Sequence, residues 1–480
     1  MLRLLNQNYD PPCRKTLSDS LLSKLFDRAL EKIRNEIKNS ASFICLTTDG
    51  WTSLKNESYV AVTAHFIDND CCLKSYLLAS FKFNGKHTSE NIANELKRMT
   101  EEWGIQDKIV ACTTDNAANM VRAIQLCNWR HVPCFAHSLN LVVQTSLEVI
   151  TETRAKVKAV VEYFKRSPQA LEKLHNIQRQ LEYSVLTPKQ DCPTRWNSTF
   201  YMFKRILQMK EPLQSTMAII NPESLQELTK EDWYIIEKAT EILTSFEEVT
   251  REISSEKYVT LSKILLLSKG LFSHCQRLSN SNCHNEIVMA LITKLTDQVL
   301  HRLVRKYEDL TNVLEATLLD PRFKRHGFSQ DDQRFKRTKD SIINKCCATW
   351  GQQKNPVQNV QETDVQPRYS SSVWQDFDAA VGDLIRPEVD NPRAASIVEV
   401  DKYLSFPLLS LMGNPLLWWK EHKEIFPTLF KLMKRRLCIM TTSVPCERIF
   451  SKQGQIITER RTQLSYKKVS KIMFLNFNLK

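Results

Sequence analysis

Two short stretches of this chain end alike. Residues 41 to 53 (ASFICLTTDGWTS) and 108 to 118 (KIVACTTDNAA) each carry β-type residues into Thr-Thr-Asp, so each reads as a buried strand that delivers one carboxylate, Asp49 or Asp115, to its end. If the two strands lie parallel and adjacent, both carboxylates reach the carboxyl edge of one sheet, where open α/β sheets build their sites. A third acidic residue, Glu447, stands far along the chain in SVPCERIFS, where Ser443 and then Pro445 mark the start of a helix. Three carboxylates suit phosphodiester transfer. Two magnesium ions about 3.5–4 Å apart can activate the attacking oxygen and stabilise the leaving one, and magnesium takes oxygen ligands while keeping several waters.

The elements that must position these groups follow from the intervening pattern. Between the Asp-bearing stretches come two more strand-like runs, Tyr59 to Ile67 and Leu73 to Phe83, joined by the polar turn Asp68-Asn69-Asp70. One helix comes next. It is capped at Thr88 or Ser89, carries Ile92, Leu96 and Met99 on one face and stops at Gly104. The predicted order is strand, strand, strand, helix, strand, and a fifth strand is expected over Val132 to Ala136, leading into a helix.

This order resembles the ribonuclease-H-like fold of DDE transposases, and the local residues are more specific. Thr48-Asp49-Gly50-Trp51-Thr52, Thr114 to Asn119 (TDNAAN), Cys134-Phe135-Ala136-His137 with SLNL after it, Thr194 to Thr199 (TRWNST), Leu319 to Lys324 (LDPRFK) and Glu447-Arg448-Ile449-Phe450-Ser451 are similar, in order, to the signatures of the hAT transposase superfamily. Within it the chain most resembles the zinc-finger BED type. The resemblance implies a mixed α/β, ribonuclease-H-like sheet interrupted by a large all-α insertion domain. Asp49, Asp115 and Glu447 would then be the DDE-type catalytic and metal-binding residues for Mg2+ or Mn2+, with Asp49 bridging both ions. It also implies a nuclear, DNA-binding protein that works as a homodimer or higher homo-oligomer. The family's BED finger has no counterpart ahead of residue 17, where neither a C-x-x-C nor an H-x-H pair occurs, so no zinc is assigned.

Bulk properties agree with a globular nucleic-acid partner. The 480 residues are 42% hydrophobic, enough for one large or two ordinary domains. An excess of 67 Lys and Arg over 54 Asp and Glu gives +13 and a pI near 9.0, which favours a polyanion. The 14 scattered cysteines point to a reduced, intracellular setting. No apolar run reaches the ~18 residues of a membrane span, so no membrane partner is expected.

Five further readings need a structure. Cys127, His131, Cys134 and His137 have a spacing that can hold zinc, yet zinc sites usually use two paired knuckles, and a strand and helix start reads better. The resemblance gives His137 a contact with phosphate or with a metal-binding Asp, the alternative being a helix-start histidine. It gives Trp196, with Arg195 beside it, a role in DNA binding by stacking on a flipped base; a buried Trp at a helix start is equally compatible. Arg and Lys interleave with Phe over Pro321 to Lys339, a pattern suited to phosphate or to a solvated turn. Residues 352–372, polar and Gln-rich, read as a disordered loop.

The expected division is an N-terminal helical segment over 1–40, the first part of the ribonuclease-H-like core over 41–137, a helical insertion over 138–435, and a dimerisation region that completes the core over 415–480. In the last of these, Trp418, Phe426 and Phe430 fall on one face of a supposed single helix with Trp419 beside it, a candidate dimerisation anchor. Two functions fit: a DDE transposase that cuts and joins DNA, or a domesticated, catalytically silent nuclear regulator that binds DNA as a dimer.

Overall fold

The computed structural model describes residues 12–53, 56–83, 85–223, 225–256, 258–280, 285–329, 331–353, 391–456 and 464–479. A helix α1 (Leu22–Ser40), entered through a π-helical turn at Thr16–Leu21, precedes strands β1 (Ile44–Thr52), β2 (Ser58–Ile67) and β3 (Leu73–Lys82). Helix α2 (Ser89–Trp103), strand β4 (Ile109–Thr114), helix α3 (Ala118–Leu126), strand β5 (His131–Pro133) and helix α4 (Phe135–Leu147) follow. The five strands form one mixed sheet in the order β3-β2-β1-β4-β5, with β1, β4 and β5 parallel and β2 antiparallel to both of its neighbours.

Local chemistry explains the boundaries. Thr88 caps α2 by accepting the Asn91 amide at 3.3 Å, and Gly104 ends it in the left-handed conformation at φ 62° that glycine tolerates. The fifth strand is shorter than Val132 to Ala136, because Pro133 has no amide to continue the ladder and Cys134 already caps α4 with its sulfur on the His137 amide. In β1, Ile44 and Leu46 face the core shared with α1, α2 and α3, while Cys45 faces the opposite core, which begins with Phe135, Leu139 and Val142 of α4. That alternation puts Thr47 and Asp49 on the second face.

Helices make up most of the described chain from Thr151–Arg166 to Pro427–Leu437, and many of their apolar residues join the α4 core. The chain then returns to the sheet. The helix Val444–Ile456 packs Cys446, Ile449 and Phe450 against Tyr59, Ala61 and Leu77, and Tyr466–Asn478 lies on β3. The Asn478 amide gives and takes a hydrogen bond with the Leu77 backbone, each 2.9 Å, as a neighbouring strand would. No described helix is long and apolar enough to cross a membrane. Except for residues 352 and 353 at a helix end, the stretch 352–372 lies outside the described residues, as does the lead-in before Pro12.

The aromatic segment near the C-terminus departs from expectation. It forms two helices, Pro415–His422 and Pro427–Leu437, because Pro427 starts a new one. The supposed common face of Trp418, Phe426 and Phe430 therefore does not exist. Trp419 and Phe426 are fully buried in the chain's own core, Trp419 donating its indole N–H to the Leu319 carbonyl at 2.9 Å, while Trp418 and Phe430 are half-buried against that core. Tyr403, Phe406 and His422 complete the cluster. These rings anchor the chain to itself.

Candidate active site

Parallel pairing sets the first two carboxylates side by side. Leu46 pairs with Cys112 and Thr47 with Thr113, and continuing that register by two residues in each strand aligns Asp49 with Asp115, just past the end of β4. Glu447 comes from the first turn of Val444–Ile456. That helix is fastened below by Cys446, whose thiol lies 3.5 Å from the Thr47 carbonyl and 3.6 Å from that of Ala61, and in front by Ser443, whose amide meets the Cys134 sulfur at 3.4 Å. Thr47, Thr63 and His65 form a buried hydroxyl and imidazole chain under the same point. Burial keeps His65 neutral, its pKa lowered to about 3.

Asp49 senses the other two carboxylates. Asp49 is pushed up to about 7, first by burial, then by the charges of Asp115 and Glu447, against the opposing pull of the Gly50 amide (2.8 Å) and the Ser443 hydroxyl. Among the described residues no three His, Cys, Asp or Glu side chains surround a point closely enough to hold an ion unaided. The donors that Asp49, Asp115 and Glu447 offer are all carboxylate oxygens, the type that magnesium takes.

A cleft of about 670 Å³ opens beside Asp49 and Glu447 and is also lined by His137, Asn140, Arg195 and Trp51. Asp115 is not in its lining and joins through Asp49. Arg195 reaches Glu447 at 3.4 Å, both side chains substantially exposed. His137 is half-buried at the start of α4 and faces the cleft. Trp196 does not serve as an open stacking platform: it touches the cleft but is only 2% exposed, packed beside Phe200 at the start of the helix Trp196–Gln208. The reason is a clamp from α4. The Asn140 side chain accepts the Trp196 amide at 3.0 Å and donates to the Thr194 carbonyl at 3.2 Å, and Gln144 donates to the Pro193 carbonyl. The SLNL and TRWNST stretches therefore hold each other, a pairing that their separation in sequence concealed.

The remaining sequence candidates have other partners. Cys127 points at the Ala93 carbonyl, His131 meets Thr114 at 3.0 Å and Cys134 holds Ser443, so the Cys/His spacing serves three separate contacts. In LDPRFK the buried Asp320 takes Ser262 and the Arg322 guanidinium, and the buried Lys324 donates to the Tyr403 and Phe406 carbonyls at 2.7 Å each. Arg325 and Arg334 pair with nearby Asp residues. Much of the basic run is thus committed within the protein.

Comparison with known proteins agrees with this arrangement. Residues 47–131 match the ZBED1 RNase-like domain, 132–242 the ZBED1 RNase-like helical domain and 399–479 the hAT family C-terminal dimerisation region. A Zea mays protein named, provisionally, AC transposase is 26% identical over 90% of this chain and 56% of its own length. A Talaromyces stipitatus protein named, also provisionally, a transcriptional regulator is 25% identical over 96% of this chain and 56% of its own. Human zinc finger BED domain-containing protein 4 is 23% identical over the whole of this chain and 41% of its own. The chain thus spans about half the length of the curated relatives it matches. Three successive family domains in register, on a five-stranded mixed sheet with its carboxylates together, place the chain in the hAT transposase superfamily, among proteins of the zinc-finger BED type.

Proposed function

We propose that the chain is a DNA-acting hAT transposase core of ribonuclease-H-like fold, in which the helices between β5 and Val444–Ile456 form an insertion, with Asp49, Asp115 and Glu447 as its metal-binding and catalytic set. The observation that carries this reading is that the parallel register of β1 and β4 and the docking of the Glu447 helix on β1 bring three carboxylates from distant parts of the sequence to one end of the sheet, where Asp49 and Glu447 line one cleft. Structural carboxylates are normally paired with cations, as Glu315 is with Arg436, whereas three partly buried carboxylates gathered here with Arg195 on Glu447 leave negative charge that a further cation would offset. Two Mg2+ or Mn2+ ions at the three carboxylates would supply Lewis-acid activation of the attacking and leaving oxygens. The chain's own residues hold the strand in place. His137 and Arg195, both in the cleft, meet phosphate oxygens, and the Arg195 guanidinium, now on Glu447, has the fork geometry to do so in pairs. The protein would act in the nucleus, as a homodimer through the region 399–479.

The test is cleavage of a terminal-repeat duplex with Mg2+ or Mn2+. Asp49→Asn, Asp115→Asn and Glu447→Gln are each expected to abolish cleavage and leave DNA affinity nearly unchanged, since each removes a ligand at little change in volume. Cleavage that survives any one of them overturns the mechanism. A second reading, a silent DNA-binding regulator, draws on the relative named as a transcriptional regulator. Wild-type chain that binds DNA as a dimer without cutting it would favour that reading.

A further inference from the structure

A second cleft, of about 640 Å³, opens at the other end of the sheet. It is lined by Phe43 just before β1, Ile109 and Val110 at the start of β4, and Trp129 and Arg130 just before β5. These are the amino ends of the three parallel strands, whereas Asp49 and Asp115 lie toward their carboxyl ends. With about 3.3 Å per strand residue, the six steps from Ile109 to Asp115 separate the two sites by roughly 20 Å.

The charge here is of the opposite sign. Arg130, Lys345, Lys431, Arg435 and Arg436 all line the cleft, and its described lining contains no carboxylate. Glu315 stands behind, fully buried, taking Arg436 at 2.6 Å and Lys345; Arg130 donates to Asn312 at 2.8 Å. Lys431 and Arg435 remain exposed at successive turns of one helix, Arg435 over the Phe43 ring. Glu315 therefore pairs with two of the five cations, Lys345 and Arg436. Burial holds the Lys345 ammonium below its usual value even beside Glu315, and Arg436 and Arg130 push the same way. Gathering like charges in a recess is unfavourable by itself and becomes favourable when an anion enters.

We propose that this cleft is an accessory site for a nucleic-acid backbone, holding phosphates of a duplex segment away from the strand at the carboxylates. It rests on the proposed DNA-acting function and extends it. A phosphodiester backbone suits the recess better than a single carboxylate ligand, because it presents a series of charges to cations spread along the lining, with Lys431 and Arg435 exposed one helical turn apart. No base edge need be read, so the contact adds affinity without sequence preference.

The test measures affinity of the full chain for a fluorescent duplex of about 30 base pairs over a salt series. Lys431→Gln with Arg435→Gln removes two exposed cations and leaves the Glu315 pairs intact. The expected result is a loss of about tenfold or more in affinity at low salt, with the slope of log K against log salt reduced by about 2, and equal losses on unrelated sequences. Circular dichroism that matches wild type secures the fold, and Lys431→Arg with Arg435→Lys should restore the slope. Unchanged slope and affinity in the double variant, while wild type binds, overturns the proposal but not the function. Titration with ATP that saturates the wild-type cleft while the variant's DNA binding stays normal would also overturn it, marking a compact phosphate site. Wild-type chain that binds no duplex at all would defeat the underlying reading instead.

Discussion

At the scale of residues, the raised Asp49 carboxyl has a consequence for stability. A carboxyl whose folded pKa is about 7, against an ordinary value near 3.8, is protonated in the fold over a range where the unfolded chain has already ionised. Stability therefore falls as pH rises from about 4 toward 7, and the full cost is present above 7. Asp49→Asn removes that cost. It should raise the melting temperature at pH 8, corresponding to at most about 4 kcal/mol at about 1.4 kcal/mol per pKa unit, and change little below pH 4. Magnesium at pH 8 should raise the melting temperature of wild type and not of the variant; thermal scans at the two pH values check both. Arg195 belongs to the same scale. Its contact with Glu447 is solvent-exposed and contributes little to folding, so Arg195→Ala should leave the melting temperature unchanged. The salt slope of DNA binding should drop by about 1, whereas an unchanged slope would leave the guanidinium without a phosphate.

Elements differ in how far the sequence reveals them. The runs that became β1 to β4 were legible, because each alternates or saturates with β-formers and ends in turn residues. Helix α2 was equally plain, with Thr88 and Gly104 marking both ends. The two Asp residues were legible for the same reason, although only Asp115 lies just past its strand, while Asp49 is followed by three more residues of β1, Gly50 to Thr52, that pair with β2. Glu447 was legible as a carboxylate at a helix start, but nothing local in SVPCERIFS says that the helix returns to β1, and the family resemblance supplied that link. The failures were long-range or depended on a single break. Pro427 divided one presumed aromatic face into two buried pieces, and the burial of Trp196 was set by Asn140, 56 residues earlier. That clamp can be tested. Asn140→Ala leaves the Trp196 amide and Thr194 carbonyl without their partner, at a cost of about 1–3 kcal/mol. Hydrogen exchange at the Trp196 amide should quicken well before global unfolding; exchange that matches wild type would show the segment is held by packing alone.

For the whole molecule, the matched dimerisation region carries both buried rings and exposed aliphatic groups. Trp419 and Phe426 secure the chain's own core, so Trp419→Ala should unfold or destabilise the protein by about 3–5 kcal/mol whatever its oligomeric state. Leu411 (68% exposed), Met412 (92%) and Leu417 (51%) lie within or beside the same two-helix stretch and offer apolar surface outward. Leu411→Asp with Met412→Asp should shift an oligomer toward monomer in sedimentation while the melting curve keeps its shape. A variant that remains oligomeric would place the contact elsewhere. The wide separation of the carboxylates in sequence also has a meaning in time. A ribosome adds about 5–20 residues per second, so from Asp115 to Glu447 synthesis takes on the order of 15–70 seconds. Throughout that interval the nascent sheet holds two of its three acidic groups, and no growing chain can carry the complete set until nearly all of its helices have been made.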